Sequence, residues 1–120
     1  MTWTMISLEL GQTPTFPNGS AARSHVLRLP LDEDGMIDEQ AYRAHAELAT
    51  VRRFWPNEPD RHGRLLRTDA GWTLEYAPAQ GGLERLFQLN AHAIRPGSVI
   101  TLTEADGASL PYLVKALATA

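Results

Sequence analysis

The sequence predicts a mainly β protein: an antiparallel meander forming a small barrel or a strongly bent sheet, with one helix packed on it. Short segments alternate apolar and polar residues, turn residues recur between them, and only residues 39–49 carry a helical three-four apolar spacing. A two-layer α+β sheet is the alternative arrangement of the same elements.

The first strand is carried by Ile6, Leu8 and Leu10 alternating with Ser7 and Glu9. A stretch rich in Thr, Pro, Gly and Ser follows, with a turn at Phe16-Pro17-Asn18-Gly19-Ser20. His25, Leu27, Leu29 and Leu31 then share one face of a second strand, and Pro30 near its end predicts an edge position because proline cannot donate to a ladder. Asp32-Glu33-Asp34-Gly35 is a turn, and Asp38 is a suitable N-cap for a helix through Ala49. On that helix Tyr42, His45, Leu48 and Ala49 lie on one face, which makes His45 a hydrogen-bonded core residue.

Val51, Arg53 and Trp55 alternate with Arg52 and Phe54, and the loop 57–63 leads into Arg64-Leu65-Leu66-Arg67-Thr68. Asp69-Ala70-Gly71 forms a tight hairpin turn, and Trp72, Leu74 and Tyr76 face one way on the return strand. Further strands follow over 83–89, 99–103 and 110–117, separated by turns at 78–82, Pro96-Gly97 and Asp106-Gly107. With 120 residues, the whole chain 1–120 reads as a single domain.

Composition narrows function mainly by exclusion. With no cysteine, thiolate metal sites, iron–sulfur clusters, disulfides and cysteine nucleophiles are ruled out. No apolar run reaches the roughly 20 residues that span a bilayer, and the first residues lack a basic signal-peptide region, so a cytoplasmic location is expected. Ten of eleven basic residues are arginine and alanine is abundant, a coding bias expected of a GC-rich bacterial genome. The formal charge of −3 argues against general nucleic-acid binding. Nor does any stretch match a phosphate loop, a dinucleotide fingerprint, a serine elbow or a histidine metal motif, and no cofactor or metal is indicated. Asp32-Glu33-Asp34-Gly35 resembles part of a calcium loop, but the register puts Pro30 and Ala41 where the first and last ligands belong.

Charge is nonetheless uneven. Arginines 43, 52, 53, 61, 64 and 67 crowd a region whose only acids are Glu47, Glu58 and Asp60. Arg52, Arg53, Trp55, Arg61 and Arg64 therefore form the candidate binding set, for an acidic protein or an anionic small molecule. His62 with Glu58 or Asp60 forms the candidate catalytic set of a small hydrolase or isomerase, because a histidine beside a carboxylate is the usual general base. The same residues also read as plain loop architecture, with the arginines paired to Glu58 and Asp60 and Phe54 or Trp55 in the core. Arginines interleaved with Phe54 and Trp55 share the chemistry of single-strand stacking platforms, yet only one strand has this composition and lysine is nearly absent. Oligomeric state is open, with the strand 25–31 as a possible pairing edge.

Overall fold

The computed structural model describes residues 1–69, 71–77, 83–87, 89, 92–104 and 106–120, with 83–87 described as backbone alone. The strands are β1 (Thr2–Leu10), β2 (Ser20–Leu31), β3 (Thr50–Phe54), β4 (Arg61–Thr68), β5 (Gly71–Tyr76), β6 (Leu83–Phe87), β7 (Val99–Thr103) and β8 (Ser109–Thr119). Each pairs antiparallel with the next, and β8 returns to β1 to close a barrel. Two register shifts in β1, at Ser7/Leu8 and Glu9/Leu10, provide the extra bend and twist that closure requires.

Period-two alternation decides what fills the interior. Ile6, Leu8 and Leu10 from β1 meet His25, Leu27, Leu29 and Leu31 from β2, Val51 and Arg53 from β3, and Leu65 from β4. Trp72, Leu74, Tyr76, Ile100, Leu102, Tyr112 and Val114 complete the packing from β5, β7 and β8. The sequence reading of a mainly β chain with one helix holds, and its barrel form is the one observed.

Pro30 lies past the end of the ladder between β2 and β3. Residues 24–27 of β2 pair with β3 while Pro30 pairs with Trp3 of β1, beyond the reach of β3. The missing N–H therefore falls where no ladder partner is present, and the Pro30 carbonyl accepts from Asp38 N–H at 2.9 Å. Of the segment 25–31, residues 25–27 are taken up by β3.

The expected helix over 39–49 is split. Helix α1 covers Glu39–Ala44, with Asp38 accepting from Ala41 N–H at 2.9 Å, and a separate 3-10 turn covers Ala46–Leu48. The break at His45 turns the chain so that Ala49 enters the core and Thr50 starts β3. His45 is consequently not a core residue: its side chain is 63% exposed and meets Glu47 at 3.4 Å. Tyr42 takes the buried role instead. Its hydroxyl donates to Leu65 C=O at 2.9 Å and accepts from Arg67 N–H at 3.2 Å, and its ring stands edge-on to Trp72 at 4.8 Å. Tyr42→Phe is expected to lower stability by about 1.5 kcal/mol, read from urea unfolding, because a buried carbonyl and amide lose their partner together. A change under about 0.5 kcal/mol would show the helix to be an ornament on the barrel.

Helix α1 and residues 92–98 lie at the same end of the barrel. Ile94 N–H donates to Gly35 C=O at 2.8 Å, and Arg95 Nη2 donates to Asp34 C=O at 3.0 Å. The acidic turn beside them is self-contained: Asp32 Oδ1 accepts from the N–H groups of Asp34 and Met36, and Gly35 takes φ +83°. The expected turn at 78–82 and residue Ala70 lie outside the described residues.

Candidate functional site at the open end of the barrel

The end opposite α1 is formed by the loops 11–19, 55–60 and 104–108 together with the strand ends they join. Register sets which side chains point inward there. Arg53 on β3 lies directly across from His25 on β2 and Arg61 on β4, so one inward row holds imidazole, guanidinium and guanidinium in succession. Interleaving residues go outward: Arg52 pairs with Val26 and His62, and the exposed strand residues Arg52, His62 and Arg64 belong to this outer series.

The candidate binding set is therefore divided by alternation. Arg53, Trp55 and Arg61 face the mouth, while Arg52 and Arg64 are exposed on the outer wall, with Arg52 lying 5.1 Å from the Phe54 ring centroid. The candidate catalytic set is divided in the same way. His62 is exposed on the outer face, where it pairs with Arg52 across the ladder, and Asp60 is exposed in the loop. Glu58 turns to the arginines instead.

Arg53 is the unusual group. Its side chain is only 7% exposed, its guanidinium carbon lies 4.1 Å from the Trp55 ring centroid, and its Nη1 is 3.5 Å from Glu58 Oε1. Burying a guanidinium costs several kcal/mol unless ion pairing and hydrogen bonds offset it, and here one long ion pair and a π face share the task. Arg61 Nη2 meets the same Glu58 oxygen at 3.2 Å, and its guanidinium lies 5.9 Å from the Tyr76 ring.

A third guanidinium completes the mouth. Arg23, on β2 two residues before His25, lies 4.2 Å from the Phe16 centroid and 5.1 Å from Trp55, so Phe16, Arg23, Trp55 and Arg53 form a chain of ring and cation contacts. Three shielded donors here, Arg23 Nε, Arg53 Nε and Trp55 Nε1, have no hydrogen-bond partner among the described residues. Glu104 follows β7 on the same rim and its Oε1 is shielded from solvent, while Asp60 and Asp106 in the neighbouring loops are exposed.

His25 adds no charge near neutral pH. Burial, with a smaller contribution from the Arg53 guanidinium, pushes its pKa from 6.5 down to about 3. Its ring meets the Tyr112 ring edge-on at 4.8 Å, which suits a neutral imidazole in an aromatic wall. Arg23, His25, Phe16 and Tyr76 lay outside the candidate set read from sequence. The parity of His25 with Leu27 and Leu29 carried the signal for the second of these, since residues two apart on a strand share a face.

Among the described residues no group of three metal-ligating side chains comes together, and no helix is long and apolar enough to cross a membrane. No family model, curated protein or solved structure matches the chain.

Proposed function

We propose that this protein is a non-enzymatic binding module for an anionic ligand, held at the barrel mouth by Arg53, Arg61 and Trp55 with Arg23 beside them. The observation that carries this reading is Arg53: a guanidinium nine-tenths buried, with an unpartnered Nε and only a shared carboxylate at 3.5 Å. An arginine held only for packing would be expected to have all its donors satisfied, because unmet buried donors are expensive. A ligand oxygen would supply the missing acceptor. The depth of Arg53 favours a small anion over the flat surface of an acidic protein, whereas Arg52 and Arg64 outside the barrel would act at longer range by raising the local anion concentration.

Arg53→Met tests the reading, since methionine keeps much of the bulk and stacks on Trp55 without charge. Calorimetric titration with propionate and with inorganic phosphate is expected to show affinity in the native chain that falls at least fiftyfold in the variant. Affinity is also expected to decline as salt rises, while unfolding stability stays level or rises once a poorly paired buried charge is gone. Equal affinity in the two proteins would end the proposal.

A further inference from the structure

We infer that the ligand of this mouth is a compact carboxylate and that Glu58 occupies its place in the free protein, an inference that rests on the anion-binding reading above. The Glu58 carboxylate uses one oxygen for both arginines: Oε1 lies 3.5 Å from Arg53 Nη1 and 3.2 Å from Arg61 Nη2. Charge-assisted N–H to carboxylate bonds usually run about 2.7–2.9 Å, and arginine commonly grips both oxygens. Glu58 thus underuses two guanidiniums.

The tether accounts for the shortfall. Glu58 follows Asn57, which holds φ +62°, in a short loop whose two ends are fixed by β3 and β4. Carried on that loop, the Glu58 carboxylate meets the two guanidiniums through one oxygen. A free one is not held in this way, and it can set its two oxygens against Arg53 Nη1 and Arg61 Nη2 at charge-assisted distance. Departure of Glu58 is sterically simple, because its side chain is 39% exposed and approaches from the solvent side of an arginine that is itself buried. Trp55 and Phe16 are already in contact with Arg53 and Arg23, and the Tyr76 ring has Arg61 over it at 5.9 Å, which leaves guanidinium edges rather than these ring faces to receive a ligand. This arrangement suits a planar oxyanion the size of the glutamate head group and disfavours a stacked base.

The test is titration of the full chain with propionate, which reproduces that head group without a tether. In Glu58→Gln and Glu58→Ala, propionate is expected to bind about tenfold more tightly than in the native chain, since the internal competitor is gone. Adding Arg53→Met to either variant is expected to abolish the gain. Two independent replacements of a partly exposed residue guard against one that misfolds, and urea unfolding reports this directly. Unchanged or weaker propionate binding in both variants, with Arg53-dependent binding intact, overturns the role of Glu58 while the anion site stands. Tighter binding of inorganic phosphate than of propionate in Glu58→Gln overturns the carboxylate class. Absence of binding by either anion in every protein overturns the anion-binding reading itself.

Discussion

Gly63→Ala is expected to cost about 4 kcal/mol, enough to remove most of the stability of a domain this size. Gly63 sits on the inward series of β4, between Arg61 and Leu65, opposite Tyr76 of β5. A Cβ there would run into the Glu75 carbonyl oxygen and would lie 2.8 Å from the Glu75 carbonyl carbon and 2.9 Å from Tyr76 Cα. All of these are backbone atoms of the paired strand, so no side-chain rotation relieves the clash. The strands must part where the ladder leads to the mouth. Gly107 provides the contrast. It has φ +89° and open space around its Cα, so Gly107→Ala meets only the left-handed backbone penalty of about 1–2 kcal/mol. Urea unfolding of the two variants measures the difference. Similar losses in both would mean that β5 yields to the methyl group, and the close approach would lose its significance.

Acid is expected to weaken the protein through His25. Unfolded, this imidazole titrates near 6.5, and folded it titrates at about 3. Between those values the unfolded chain holds the extra proton, so stability rises with pH and is lost as pH falls below about 6.5. The slope approaches 1.4 kcal/mol per pH unit, giving a loss of about 3 kcal/mol at pH 4.5 and about 5 kcal/mol once pH reaches 3. Carboxylates elsewhere also respond to acid, so the discriminating comparison is with His25→Phe, which retains a ring against Tyr112. Unfolding free energies at pH 7 and pH 4.5 should diverge between the native chain and the variant by about 3 kcal/mol. Parallel pH profiles would show that the buried ring takes up its proton without cost.

Alternation alone makes most of this fold readable. The inward series of β2, with His25 leading Leu27, Leu29 and Leu31, is plain in the sequence, and so are the glycines at 71, 97 and 107 that take positive φ. Closure is not plain, because the pairing of Leu8 with Val114 joins residues far apart in sequence and leaves no local mark. Pro30 marks the part of β2 that β3 does not reach, while residues 24–27 of the same strand are paired. Its position at an edge is a rule about partners, and the partners are set by distant strands. His45 shows a different failure, since helical spacing assigns it to a buried face but the break after Ala44 rotates it into solvent.

The arginine segment is legible as a concentration of charge and illegible as a site. Counting residues 52–64 together joins two faces of a sheet that the period-two rule separates. Applied at that point, the rule would have set Arg53 and Trp55 apart from Arg52. It would not have brought Arg23 and Phe16 to them, because that contact depends on the packing of the 11–19 loop across the rim.

The seam between the first and the final strand has a consequence for how the molecule assembles. Until residues 109–119 dock, β1 and β7 each present a bare row of amides and carbonyls, and a half-made ring of this kind invites annealing with a neighbour. The ring can close only once this strand, the last of the eight in chain order, has been made and has bridged the two edges.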